Sequence, residues 1–177
     1  MVKDLIILIL YNMQALFITR DDIVKFTVLN GNIDTDKFVQ FIKIAQDIHI
    51  QNFLGTKLFN KINDAIVAGT LASPYTTLLS TYIKPMVIHW AMVEFLPYSA
   101  YTIANKGVYK HNSENSTNVD KNEIDFLIEK ERDVAQHYTN RFIDYMTFNQ
   151  VLFPEYNLNS NADVYPDKDS SFAGWVL

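Results

Sequence analysis

The stretch YIKPMVIHWAMVEFLPYSAYTIA, Tyr82 to Ala104, has no polar side. Between Met86 and Leu96 only His89 and Glu94 are hydrophilic. A helix that is apolar all round must be enclosed by other elements or by lipid, and this run falls short of the roughly eighteen apolar residues that span a bilayer. It reads as a buried central helix. Pro85 suits a first helical turn, where its missing N–H costs nothing, whereas Pro97 should collide with the carbonyl of Val93 and bend the helix partway. Because Tyr98, Ala100, Tyr101 and Ile103 continue an apolar pattern, the expectation is a kink at Pro97 with helix beyond it.

The flanks supply elements to surround that helix. Thr19-Arg20-Asp21-Asp22 offers an N-cap oxygen followed by two carboxylates at the positive end of a helix dipole. Asp34 is a second N-cap candidate, followed by Phe38, Phe41, Ile42, Ala45 and Ile48 at helical spacing up to about Asn52. Gly55 should break this helix, a shorter one should run from Leu58 to Gly69, and Ser73-Pro74 should open the next. Downstream, Asp120 with Glu123 forms a capping pair for the longest helix, Lys121 to about Gln150, roughly 45 Å long. Its inner stripe reads Ile124, Leu127, Ile128, Val134, Ala135, Tyr138, Phe142 and Tyr145, and Pro154 closes it. The fold class expected is therefore all-α: a helical bundle around a kinked, buried central helix, with a long loop at Asn105 to Asn118 and extended arms at both ends. The boundaries are 1–18 for an N-terminal arm, 19–154 for the helical domain and 155–177 for an extended C-terminal arm.

Composition narrows the function. The 177 residues suit one domain, large enough to bury about 70% of its unfolded surface. With no cysteine, disulfides, thiolate zinc sites and thiol nucleophiles are excluded. A formal net charge of -5 disfavours a protein whose task is to grip nucleic acid, although not one that DNA slides past. The apolar run Leu5 to Leu10 is interrupted by Tyr11, Asn12 and Gln14 before it reaches spanning length, and no membrane partner is expected.

Catalytic patterns are scarce. The five glycines build neither a dinucleotide fingerprint nor a phosphate loop, and there is no G-x-S-x-G turn. Glu129, Asp133 and His137 share one helix face, and His89 and Glu94 interrupt the core helix, which raises a metal-carboxylate bundle as the enzyme alternative. Such bundles use inward Glu-x-x-His pairs, and this chain has none. We therefore expect Glu129, Asp133 and His137 to form a solvated face, His89 to be a hydrogen-bonded core histidine, and Glu94 to be satisfied by Arg141 or a tyrosine hydroxyl. No catalytic, metal or cofactor site is assigned, and the protein is read as not an enzyme. The candidate residues are instead partner contacts: Lys106, Tyr109 and Lys110 in the loop, and Tyr165, Phe172, Trp175 and Leu177 in the tail, three aromatic anchors and one aliphatic expected to dock onto another chain.

One resemblance adds to this. The runs FITRDDIVKFT at Phe17 to Thr27, DKFVQFIKIAQDIHIQNFLGTKLF at Asp36 to Phe59, NKGV at Asn105 to Val108, and YTNRFIDYM with FPEY at Phe153 occur in an order that resembles head-tail connector adaptors of tailed bacteriophages, in particular ring proteins of crAss-like phages. The similarity spans about Phe17 to Tyr156. It implies a small helical subunit in a ring of about twelve copies. Such a ring lies beneath the portal protein in the virion neck, is assembled in the host bacterial cytoplasm and contacts further neck or tail proteins. Double-stranded DNA would pass through it without specific binding, and no active site or cofactor is implied. The alternative is a stand-alone helical-bundle protein, either a metal-carboxylate enzyme or a regulatory binder.

Overall fold

In the computed structural model, residues 14–29, 35–99, 101–104, 107–110, 121–158 and 163–169 are described, with the backbone alone at 35–37, 101–104 and 107–110. The elements in chain order are α1 (Arg20–Phe26), α2 (Thr35–Ala45), α3 (Gln51–Val67), α4 (Tyr75–Leu78), α5 (Lys84–Phe95), strands β1 (Tyr101–Ala104) and β2 (Gly107–Lys110), α6 (Lys121–Asn149) and α7 (Pro154–Asn157). Wider π-type turns join α2 to α3 over Gln46–Ile50 and α4 to α5 over Leu79–Ile83. The fold is an all-α helical bundle carrying one small hairpin.

Helix α5 is the buried centre. Met86, Val87, Ile88, Trp90, Ala91, Met92 and Val93 are all buried, so the helix presents apolar residues in every direction, with α2 and α6 packed against it. Pro85 lies inside a longer helical path, since Leu78, Leu79, Ile83 and Lys84 all keep right-handed helical dihedrals. The widened turn just before it gives room to a ring that would otherwise strike the Thr81 carbonyl.

The expected kink at Pro97 is not what forms. Helix α5 ends at Phe95, Leu96–Tyr98 make one 3₁₀ turn, and from Tyr101 the chain is a strand. Tyr101, Thr102 and Ile103 are β-branched or aromatic and pair antiparallel with Lys110, Tyr109 and Val108, a partnership stronger than a helix continuing past a proline. The same hairpin takes Gly107 to Lys110 out of the expected loop, whose remainder, 105–106 and 111–118, lies outside the described residues.

Other boundaries follow their local chemistry. Thr19 caps α1, its hydroxyl accepting from the Asp22 N–H while the Asp22 carboxylate accepts from the Thr19 N–H. Lys84 Nζ on α5 donates to the same carboxylate at 2.8 Å, tying α1 to the central helix. Burial works against the charge on Asp22, but the bonds from Lys84 and Thr19 outweigh it and hold the carboxyl below its usual range. At the far end of α3, Gly69 takes φ 65°, the left-handed residue that turns the chain away after the last helical carbonyls.

Helix α6 runs to Asn149 and stops before Pro154, which opens α7 instead of closing α6. Its buried residues, Ala135, Thr139, Phe142, Ile143 and Met146, all lie in its second half. The expected inner stripe fails at two positions of the first half, Leu127 being 48% and Val134 38% exposed, while Ile128 packs against the core and Ile124 is half-buried. The body also begins earlier than residue 19, because Phe17 and Ile18 are buried in the core.

Candidate functional site

Three features could serve recognition or chemistry: two histidine–carboxylate pairs on the central helix, a strap that closes over α3, and exposed apolar surface. Beyond Lys84, the hydrophilic residues of α5 are His89 and Glu94, and the pairs account for both. Glu94 accepts from His49 Nε2 at 2.8 Å, and Glu131 of α6 accepts from His89 Nδ1 at 2.6 Å. Glu94 thus finds a histidine, and not Arg141 or a tyrosine as expected. Arg141 instead lays its guanidinium over the rings of Tyr82 and Tyr138.

Each imidazole is also held flat by an aromatic ring. His49 stacks on Trp90 with centroids 4.0 Å apart, and His89 on Tyr138 at 5.2 Å. Trp90 in turn donates its Nε1–H to the buried Thr139 hydroxyl at 3.0 Å. One central helix is thereby pinned to the α2–α3 turn by its acid and to α6 by its base. Each pair is satisfied internally, so these are struts with no group aimed at a substrate. Among the described residues no three His, Asp or Glu gather to hold a metal ion, and Glu129, Asp133 and His137 are exposed on α6.

The strap is residues 163–169, whose seat is prepared by Gly55. This glycine sits inside α3 with φ 73° and ψ 155°, opening the helix there. The bond that would have joined the Thr56 N–H to the Asn52 carbonyl is replaced by two others. Thr56 N donates to the Val164 carbonyl at 3.0 Å, and Asp167 N donates to the Asn52 carbonyl at 2.8 Å. Val164 N also donates to the Thr56 hydroxyl at 2.9 Å. Between these bonds Pro166 is buried against the glycine. The described part of the tail, 163–169, therefore packs onto its own bundle, while Phe172, Trp175 and Leu177, expected to dock onto another chain, lie outside the described residues.

Two tyrosines lie under or beside this C-terminal region. Tyr75 donates to Glu155 Oε2 at 2.6 Å; burial and then that carboxylate push its phenol up to about 12. Burial, with Asp167 and Tyr165 nearby, likewise pushes Tyr156 up to about 12. The unfolded chain loses these protons near pH 10, whereas the folded chain keeps them to about 12. Stability should be fully present below about pH 10 and fall as pH rises through about 12. Urea midpoints measured across that interval should decline, and Tyr156→Phe should flatten part of the decline. An identical slope in that variant would show that the buried phenol does not carry the effect.

Among the described residues three groups of exposed apolar side chains stand out, apart from separate ones such as Tyr98 and Ile48, the latter expected on the buried stripe of its helix. The first half of α6 shows Phe126, 56% exposed, beside Leu127 and Val134, and no residue of 121–134 is buried. Around the end of α1 stand Val24, Phe26 and Val28. At the end of α6 and the turn after it, Phe148 is 86% and Val151 89% exposed, with Leu152 and Leu158 at the two ends of α7. Sequence reasoning placed Leu127 and Val134 in the core and did not single out Phe148 or Val151.

Of the residues expected to meet partners, Tyr109 and Lys110 lie on β2, opposite Thr102 and Tyr101. Tyr165 is exposed within the strap, with the Lys168 ammonium 5.4 Å from its ring centre. Lys106, Phe172, Trp175 and Leu177 lie outside the described residues, as does the leader Leu5 to Leu10. No helix among the described residues is long and apolar enough to cross a membrane.

A family described as "Family of unknown function (DUF6712)" matches residues 50–166. The chain belongs to this family. The matched stretch contains both sides of the strap, from Gly55 to Pro166, together with the central helix and all of α6. No curated protein matches the chain, and no solved structure does.

Proposed function

We propose that this member of the family is a structural, non-catalytic subunit of a bacteriophage head-tail connector ring, binding below the portal protein and giving the tail a docking surface. The observation that carries the reading is the outward face of the first half of α6. Ile128 and Glu131 hold that half to the body, but Phe126, Leu127 and Val134 on its other side stay in solvent, an apolar face that nothing in the described chain covers. In an assembly a neighbour covers it. A ring of identical subunits requires two different complementary surfaces on each copy, and the apolar residues at the end of α1 provide a second one on another element. The order of sequence segments shared with connector adaptors supports the same assignment.

The acidic balance suits a conduit, since a strongly basic bore would retain the DNA that must pass. Portal protein mixed with this chain should yield rings on imaging, and intact virions from its source should contain it by mass spectrometry. Phe126→Asp with Leu127→Asp should leave helicity and monomer stability unchanged while abolishing incorporation. Absence from virions, a double variant that assembles normally, or a metal-dependent turnover abolished by Glu129→Ala would each reject the proposal.

A further inference from the structure

One cation on the surface of α6 is fixed in place by its neighbours. The Arg141 guanidinium lies over two phenol rings, 5.9 Å from the centre of Tyr82 and 5.7 Å from that of Tyr138. Both rings are braced in turn: Tyr82 stacks on Tyr145 with centroids 4.0 Å apart, and Tyr138 stacks on His89, which Glu131 holds. Arg141 itself stays exposed, and among the described residues no carboxylate lies within ion-pair distance of it. A guanidinium whose planar fork is already held over aromatic faces loses little freedom when it takes a carboxylate. Leu127, Val134, Arg141 and Phe148 recur every seven residues, so the cation interrupts an apolar edge of the helix. In such an edge a lone polar position sets register, because whatever covers it must bring the matching group opposite.

Helix α1 carries the complement. Asp21 is exposed and makes no ion pair among the described residues, Val24 three residues on shares its face, and Phe26 is exposed at the helix end. The entry to α5 fixes where this acid stands relative to Arg141. Tyr82 lies under Arg141, whereas Lys84 binds Asp22, the residue next to Asp21. Two residues on a helical path lie about 3 Å apart along its axis and a little over half a turn apart round it. The cation and the acid therefore emerge at about one level on nearly opposite sides of the central path, and they cannot meet within one copy. A heterologous contact closes into a ring, and not into a rising filament, when its two surfaces stand at one level.

We infer that Arg141 of one copy takes Asp21 of the next, with the exposed face of α1 laid along the apolar edge of α6. The inference rests on the ring reading above and names the contact that joins its subunits. A second copy is the better occupant than a nucleic acid, because a phosphate backbone is gripped by several cations together and this edge carries one. Val24 and Phe26 supply the apolar cover, and the charge pair selects the register in which they are placed.

Charge exchange tests the pair. Both positions are exposed, so Arg141→Glu and Asp21→Arg should each keep the native urea midpoint. Each alone should weaken association by about tenfold or more, measured with portal protein present and, at high concentration, without it. The chain carrying both changes should regain it, since the exchanged charges again meet across the contact. The chain has no cysteine, so Lys25→Cys with Asp144→Cys, exposed positions within a turn of the pair, give a bis-maleimide linker its only two sites. That double variant should cross-link into oligomers longer than dimers. Single variants that assemble like the native chain, an exchanged chain no better than the singles, or links that stop at dimers would overturn the pairing while rings of the native chain leave the connector reading standing. A native chain that forms no oligomer in either condition rejects the pairing together with the ring. Duplex DNA bound by the native chain and released by Arg141→Glu would assign the cation to phosphate and overturn it as well.

Discussion

Gly55→Ala should destabilise the protein by about 2–4 kcal/mol and release the strap. Two independent costs meet at this position. The backbone at φ 73° and ψ 155° lies in a region that L side chains rarely adopt, a strain of about 1–3 kcal/mol. A Cβ there would also sit 2.6 Å from Pro166 Cγ and 2.7 Å from Cδ, a ring that cannot rotate away. The chain could escape the strain by straightening, with residue 55 helical and Thr56 N–H bonded again to the Asn52 carbonyl. That rearrangement removes the acceptor used by Asp167 and the donor used by Val164, so the strap leaves in either case. Urea unfolding gives the energy, and faster proteolysis within 159–169 in the folded state reports the release. A variant with native stability and an intact strap would refute this account of the glycine.

Removing the side chain of Gln46 should have a comparable effect, since it substitutes for a strand partner inside the core. Gln46 is fully buried, its Oε1 accepting from the Phe17 N–H at 2.8 Å and its Nε2 donating to the Ala15 carbonyl at 3.0 Å. This one amide satisfies the backbone on both sides of Leu16 and holds Phe17 in the core, its ring 5.0 Å from that of Phe59. Gln46→Met keeps most of the volume but leaves both backbone groups unpaired, at about 1–3 kcal/mol for each group left buried. We expect a loss of about 3 kcal/mol and rapid exchange of the Phe17 amide proton. Gln46→Ala adds a cavity and should cost more. If Gln46→Met stays within about 0.5 kcal/mol of the native chain, the bonds to 15–17 contribute nothing.

Local chemistry accounts for much of what could be read without coordinates. The Thr19 cap, the breaks at Gly55 and Gly69, the buried character of residues 86–93 and the length of α6 depend on interactions within a few residues, which the order of side chains states directly. His89 was legible as a hydrogen-bonded core histidine because a lone base in an apolar helix requires a partner. Which partner it takes was not legible. Glu131 lies 42 residues away, and the Glu94–His49 pair spans 45, distances over which many acids and bases compete equally on paper.

Where expectations failed, a tertiary choice overrode a local one. Leu127 and Val134 match the helical period, yet the packed face of α6 runs through Ile128, Glu131, Ala135 and Tyr138, and which face meets the central helix is a tertiary choice that periodicity leaves open. Residues 101–104 carry an apolar pattern compatible with helix or strand, and antiparallel pairing with 107–110 decides between them. Gly55 reads in the sequence as a helix break alone, and nothing there pairs it with Pro166. By itself the sequence determined an all-α bundle, its central helix and most of its breaks. Only the tertiary structure decided that the strap closes on Gly55, that two histidine–carboxylate struts pin the central helix, and which apolar residues remain for a partner. The physical reason is that long-range pairing depends on which surfaces the packed helices leave facing one another, and that is a property of the whole fold.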